Sequence, residues 1–225
     1  EARTQMQAFM HWCSQKRPMV TLKAALDSNG VVDGAVDGRF TSEASLDAAH
    51  RLRKYCDAIL VGVNTIVNDD PVLNIRRIPM GQSRQPLRIV LDRTRRIPEH
   101  SKVLNDGGET IVVHTLPNQE GIALPTGAHG VELNALLDHL GDRGIQELLI
   151  EGGPDVWAQF LEEKLVDRAI IIRSTKVLGD GTPSGIDGNK LNDAGLAVIG
   201  KKSWDDDTAT LWSRPNVPWP SQDWP

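Results

Sequence analysis

Val61-Gly62-Val63-Asn64-Thr65-Ile66-Val67-Asn68-Asp69-Asp70-Pro71-Val72-Leu73-Asn74-Ile75-Arg76 is the stretch that decides the fold. It opens from Ala58-Ile59-Leu60-Val61, an uncharged run of the length expected for a buried strand. Gly62 lets the backbone leave the sheet and approach a neighbour closely. Asn64 or Thr65 can cap a short helix, whose N-terminus offers free N–H groups to an anion. Asp69-Asp70-Pro71 stops that helix, because proline drives the residue before it to extended geometry. Leu73 and Arg76 then fall in a new extended segment. A strand, a glycine, a hydroxyl, an acid and a cation in one loop are the parts from which an open α/β sheet builds a binding crevice beyond its strand ends.

Upstream, Met6, Phe9, Met10 and Cys13 recur at helical spacing, so residues 1–17 read as an amphipathic helical extension that packs on its apolar stripe. Met19 to Leu26 reads as a strand with Lys23 in its middle. A charge there either covers an edge or points into a cleft. Ala24 and Ala25 leave room for a ligand. Asp27-Ser28-Asn29-Gly30 is a turn, Val31-Val32 a short strand, and Asp33-Gly34 and Asp37-Gly38 punctuate a loop up to Phe40. Thr41 or Ser42 caps the next helix, with Glu43 in its first turn. Leu46, Ala49, Leu52 and Cys56 form its inner face. Arg51, Arg53 and Lys54 near its C-terminus suit the helix dipole.

Downstream, Leu87 to Leu91, Thr110 to His114, Glu147 to Ile150 and Arg168 to Ser174 are apolar runs of strand length. Between them, Leu133, Leu136, Leu137 and Leu140 mark a helix that Gly141 or Gly144 ends. A second helix, with Val156, Phe160, Leu161 and Leu165 inward, follows Glu151-Gly152-Gly153-Pro154. The alternation predicts a largely parallel sheet covered on both faces. Strand, Gly-Gly, helix is a geometry that can cradle a phosphate, and Glu151 stands at the same strand end. Asp92-Arg93-Thr94-Arg95-Arg96 reads either as a solvated turn or as a guanidinium clamp for a phosphate. Val177 to Asn192 reads as loop. Leu196–Ile199 and Ala209–Trp212 read as two strands around the acidic turn Asp205-Asp206-Asp207. The last twelve residues hold four of the chain's 13 prolines and two of its six tryptophans, a tail that must lie against an apolar surface.

The whole chain has 225 residues, is 40% hydrophobic and 24% charged, and carries a formal net charge of -5. That composition suits a soluble globular domain and gives no basic patch for nucleic acid. No apolar run has the length of a membrane span, and the N-terminus shows no signal pattern. Cys13 and Cys56 are in no zinc or CxxC spacing, so a reducing, cytoplasmic compartment is the default. The six histidines fall in no metal-binding pattern, and no metal is expected.

The motifs in their order resemble the reductase of riboflavin biosynthesis, the C-terminal domain of the bifunctional bacterial deaminase-reductase. The resemblance rests on Pro18 to Gly30, Phe40-Thr41-Ser42, Arg53, Val61 to Arg76, Pro86 to Pro98, Glu151 to Trp157 and Val177-Leu178-Gly179. The run V-G-x-x-T-x-x-x-D-x-P-x-L-x-x-R, with E-G-G-P downstream, is the specific part. It implies a dihydrofolate-reductase-like α/β fold, with helices on both faces of a mostly parallel central sheet and an antiparallel C-terminal strand. Residues 18–213 would form the reductase domain, after the 1–17 extension and before a 214–225 tail. The implied activity is the NADPH-dependent reduction of 5-amino-6-(5-phosphoribosylamino)uracil, or of its 2,5-diamino-pyrimidinone counterpart, by hydride delivery to the opened ribose C1. The implied cofactor site is Ala25, Thr65, Asp69, Arg93, Gly152, Gly153, Pro154, Asp155, Val156 and Trp157. The implied substrate site is Arg53, Leu73, Arg76 and Glu151, with both arginines toward the 5′-phosphate and Glu151 as the catalytic group that holds a cationic imine or passes a proton. A homodimer is also implied, and the Trp-rich tail gives a second reason to expect one.

The chain departs from the family pattern in three places. Asp27-Ser28-Asn29-Gly30 stands where S-x-D-G is common, Arg39 where an aromatic is frequent, and Arg93 where a small hydroxyl residue usually follows the acid. No H-x-E…P-C-x-x-C zinc signature is present. Two other readings remain open: a pterin reductase of the same fold, and a non-catalytic nucleotide-binding protein.

Overall fold

A computed structural model describes residues 6–34, 39–217, 219–220 and 224–225. The Asp37-Gly38 turn lies outside them. In chain order the elements are α1 (Gln7–Gln15), β1 (Met19–Leu26), α2 (Glu43–Tyr55), β2 (Ala58–Gly62), α3 (Val63–Asp69), β3 (Leu87–Leu91), α4 (Lys102–Asn105), β4 (Thr110–His114), β5 (Ile122–Ala123), α5 (Leu133–Asp142), β6 (Glu147–Ile150), α6 (Pro154–Glu162), β7 (Arg168–Arg173), α7 (Gly188–Asp193), β8 (Ala197–Trp204) and β9 (Asp207–Ser213).

The strands form one sheet in the order β5-β4-β3-β2-β6-β1-β7-β9-β8. From β5 to β7 every pairing is parallel, and β9 pairs antiparallel with both β7 and β8. The antiparallel part is thus a C-terminal hairpin of two strands. β6 is inserted between β1 and β2, which do not pair with each other.

Period-two alternation sorts the side chains to two faces. Val20, Leu22, Ala24 and Leu26 of β1 join Leu148 and Ile150 of β6 in one core, closed by the leucine stripe of α5 and by Val156 and Phe160 of α6. Each such leucine, fully buried, contributes about 1.5–3 kcal/mol. Leu149 faces the other way, onto Ala48 and Leu52 of α2 and the tryptophans Trp204 and Trp224. Glu147, Glu151 and Lys23 share that parity, so all three are directed to the α2 side. A third cluster, Val63, Ile66, Leu73, Val90 and Val103, lies under the loop that follows β2.

Several expectations need correcting. In α1 the inward residue is Gln7; Met6, Phe9, Met10 and Cys13 are exposed. Gln7 is inside because its amide oxygen accepts from the buried Arg168 guanidinium. The helix is tied down by Trp12 Nε1, which donates to Gly141 O at 2.8 Å. Gly141 lies within α5, where an added Cβ would stand 1.8 Å from Lys16 O. The helix end falls instead at Gly144, in the left-handed region.

Ser42 caps α2, accepting from Ser45 N, but Leu46 is only half-buried. α3 starts two or three residues earlier than expected, with Gly62 and not Asn64 or Thr65 at its cap. Val31 makes only an isolated bridge, to Pro183. Leu73 is not extended: its φ is 53°. The short α7 falls largely where loop was expected, β5 lies in a stretch for which no element was expected, and the hairpin turn is Asp205-Asp206, with Asp207 buried inside β9.

The tail folds back on its own chain. Trp219 and Trp224 pack edge to face at 4.8 Å, Trp224 is 6% exposed, and Lys202 Nζ donates to its carbonyl at 2.7 Å. Its apolar surface is therefore satisfied within the chain, which removes one of the two reasons for expecting a dimer.

Candidate active site

The carboxyl ends of β1, β2, β3 and β6 open into a single crevice of about 1420 Å³. A pocket for one drug-sized ligand is roughly 300–1,000 Å³, so this one has space for two molecules side by side.

One half is built by the β6–α6 junction against α3. Gly153 is the cap residue of α6, without a capping side chain, and Pro154 follows at the first helical position, where its missing N–H costs nothing. Gly62 and Gly153 differ in kind. A Cβ on Gly62 would lie 2.8 Å from Val156 Cγ2, so β2 and α6 can meet only through a glycine. A Cβ on Gly153 would meet nothing nearer than Thr65 Oγ1 at 3.8 Å. Packing does not require glycine there; the space it leaves belongs to the crevice.

Asn64 on α3 links two walls: it accepts from Arg96 Nη2 at 2.8 Å and donates to Asp155 Oδ2 at 3.2 Å. Asp69 faces the same space, its pKa raised first by burial and then by Asp33. The cationic loop after β3 is closed by Asp92, which accepts from Ile97 N at 2.7 Å. Arg93, Thr94 and Arg96 line the crevice, whereas Arg95 turns away to the carbonyl of Glu120.

The other half centres on Glu151. Arg53 holds it with both arms of the guanidinium, Nε to Oε1 at 2.6 Å and Nη2 to Oε2 at 2.8 Å, and gives its Nη1 to Asn74 O at 3.0 Å. The two side chains are only 11% and 7% exposed. Burial raises the Glu151 pKa, but the charge and fork of Arg53, helped by Lys23 and His50, overturn that and bring it to about 2. Lys23 lines the crevice beside it, its pKa lowered chiefly by burial against the opposing pull of Glu151. Arg76 also lines the crevice, exposed, with Nη1 donating to Asn74 Oδ1 at 2.9 Å.

A sequence model of the RibD C-terminal domain matches residues 18–211. The chain belongs to that family. RibD relatives include the riboflavin biosynthesis protein RibD of Aquifex aeolicus, 34% identical over 211 residues, covering 90% of this chain and 59% of that protein. The chain therefore spans little more than half of that relative. It matches the 2,5-diamino-6-ribosylamino-4(3H)-pyrimidinone 5′-phosphate reductase of Methanothermobacter thermautotrophicus at 34% identity over 173 residues, covering 72% of this chain and 80% of that one. Acinetobacter baumannii RibD superposes with a TM-score of 0.79 at 25% identity, over 94% of this chain and 62% of that one. A dihydrofolate reductase from Enterococcus faecalis shares the fold, with a TM-score of 0.52 at 13% identity, over 88% of this chain and 97% of that one. The chain thus has the mostly parallel, dihydrofolate-reductase-like α/β fold.

In this RibD C-terminal domain, Ala25, Thr65, Asp69, Arg93, Gly152, Gly153, Pro154, Asp155, Val156 and Trp157 all reach the crevice, as do Arg76 and Glu151. Two expected residues do not. Arg53 lies behind Glu151 with its donors committed to Glu151 and Asn74. Leu73 is 3% exposed and packs downward into the third core cluster. Reading the residues alone did not single out Asn64 as a cross-crevice link, nor His129 and Leu178 as wall residues. Asn64 was visible only as a cap; the others sit in loops whose approach depends on contacts distant in sequence.

Proposed function

We propose that this chain is the NADPH-dependent reductase of a pyrimidine ribosylamine 5′-phosphate, converting the ribosyl group of 5-amino-6-(5-phosphoribosylamino)uracil or of its 2,5-diamino-pyrimidinone counterpart to ribityl. The observation that carries the reading is the pairing, in one crevice, of an anion cradle with a buried carboxylate held ionised beside an exposed arginine. Named relatives of the RibD type and of the pyrimidinone phosphate reductase type support it.

NADPH fits the residues present. Gly153 leaves room that no internal contact uses, and Trp157 in the crevice wall has a buried indole N–H with no acceptor among the described residues. Thr65, Asp69 and the run Gly152 to Trp157 would hold it, with Arg93 and Arg96 toward a 2′-phosphate. When bound, NADPH supplies the hydride. The protein's own task is to position the substrate and exclude water.

Arg76 anchors the phosphate end of the substrate, and Arg53 serves through Glu151. Of the two roles open to Glu151, holding a cationic imine suits a carboxylate that stays ionised at neutral pH. A proton donor needs a pKa near the working pH. Preference for NADPH over NADH follows from the two arginines, each charged hydrogen bond contributing roughly 1.5–3 kcal/mol.

The test is NADPH oxidation with each of the two pyrimidines in turn, repeated with NADH. Turnover of one pyrimidine, faster with NADPH, is expected. Stoichiometric NADPH binding without turnover of either would point to the non-catalytic reading, and equal efficiency with NADH would remove the role of Arg93 and Arg96. We further place the enzyme in the cytoplasm as a homodimer, a state that rests on the resemblance alone. Light scattering that returns a monomer mass at micromolar concentration overturns it.

A further inference from the structure

The loop that presents Arg76 has no regular secondary structure, yet distant side chains hold its backbone nearly residue by residue. Lys102 Nζ donates to Asp70 O at 3.2 Å, and Arg88 Nη1 donates to Val72 O at 3.0 Å. Arg53 Nη1 donates to Asn74 O. Gln85 brackets Ile75: its Oε1 accepts from Ile75 N at 2.8 Å and its Nε2 donates to Ile75 O at 3.0 Å. His50, 4% exposed, accepts the Arg76 backbone N–H at Nδ1, 3.2 Å away. That contact fixes the ring with Nδ1 unprotonated.

Gln85 differs from the other holding groups. It lies at the surface, outside the crevice lining, ten residues beyond the peptide it holds. Its amide satisfies both polar groups of one residue, as a neighbouring strand would. Gln85 makes two hydrogen bonds to the residue before Arg76, and the Arg76 N–H donates a third to His50, so the backbone on both sides of the 75–76 peptide is held.

We propose that Gln85, with His50 behind it, is a positioning residue: it fixes the 74–76 backbone so that the Arg76 guanidinium meets the anionic end of the substrate without first being ordered. Side chains that must be ordered on binding lose affinity, so the effect falls on substrate capture and not on hydride transfer. This rests on the reading of Arg76 as the phosphate anchor.

The experiment is steady-state kinetics on the full chain, with whichever of the two pyrimidines it turns over, combined with NADPH titration. Gln85→Leu should raise KM about fivefold, the loss of a modest pair of hydrogen bonds, with kcat and the NADPH Kd unchanged. Gln85→Glu keeps the acceptor for Ile75 N–H but loses the donor, and should fall between. In an Arg76→Ala background Gln85→Leu should add nothing, because the group it positions is gone. An unchanged KM in Gln85→Leu, an additive double variant, or a joint loss of kcat and NADPH affinity each overturns the inference while leaving the anchor in place. If Arg76→Ala alone leaves KM untouched, the anchor reading falls and the inference with it.

Discussion

β6 carries a glutamate at each end, and the two are treated in opposite ways. Glu151, just past the carboxyl end, is gripped by both arms of Arg53 and brought to about 2. Glu147, at the amino end, meets Arg168 Nη1 at 3.1 Å and is pushed up to about 7. Burial is the largest influence on both. What differs is the company. Around Glu151 stand Arg53, Lys23 and His50, whereas around Glu147 the single pull of Arg168 is opposed by Asp57 and Asp167. One strand thus has a working end, where Arg53 and Lys23 oppose the burial of one carboxylate, and a holding end, where carboxylates gather about one arginine. Changes at the first should register in kinetics as well as stability, and changes at the second in stability alone.

The severest break is Arg53→Met, which leaves Glu151 buried without its partner. Removing one member of a buried pair costs about 3–5 kcal/mol, read by urea unfolding at pH 7; a loss under about 1 kcal/mol would mean that the pair is solvated. The sign of the pH dependence follows. The folded pKa of Glu151, about 2, lies below the ordinary glutamate value of 4.5, so the unfolded chain takes the proton first. The stabilisation is complete above that value and is lost as pH falls toward 2. The variant should lack that slope.

Arg76→Ala comes next. It should lower kcat/KM by about 2–4 kcal/mol, mostly through KM, and leave NADPH affinity intact. Arg76→Lys should recover only part, since an ammonium cannot reproduce a planar fork. A wild-type kcat/KM in the alanine variant would cancel the anchor. Gly153→Val should weaken NADPH binding about tenfold, or 1.4 kcal/mol, measured by fluorescence titration. An unaltered Kd in a folded variant would reduce the Gly-Gly loop to a helix entry.

The mildest change sharpens the contrast at the holding end. The folded pKa of Glu147 is raised, so the native state keeps a proton that the unfolded chain releases, and stability falls as pH rises from about 4.5 to about 7. Glu147→Gln should remove that slope. Its stability relative to wild type should improve between pH 5 and pH 8 by at most about 3 kcal/mol, with kcat/KM at pH 7 unaffected. A difference that does not vary with pH would place Glu147 in water.

Most of the sheet was legible because its strands are mostly apolar runs, and the crevice because Gly62, Thr65, Asp69 and Glu151 stand at or just beyond strand ends. The misreadings share a cause: the deciding partner is far along the chain. Gln7 is inside because Arg168, 161 residues on, needs its oxygen. Arg53 looked like a helix-end charge or a phosphate ligand because Glu151, which consumes its fork, is 98 residues away. Leu73 fits an extended segment by composition, but the tight path between Asp70 and Arg76 gives it a left-handed backbone. The two-residue β5 is below the length at which alternation can be seen.

The place of β6 between β1 and β2 has a consequence for how the chain folds. β1 and β2 are complete by residue 62, yet the strand that joins them begins at Glu147. During synthesis the nascent chain therefore holds β1 as a strand without a partner, beside a sheet of β2, β3, β4 and β5 whose inner edge stays open, for the time it takes to extend through β3, β4 and α5. Closing such a gap requires long loops to be ordered before their contacts repay it, which slows folding and leaves strand edges open to pairing with other chains. β6 is thus the keystone that joins the two sides, and pulsed hydrogen exchange should find the amides of β1 gaining protection no earlier than those of β6, while the β2–β3 pairing can be protected before them.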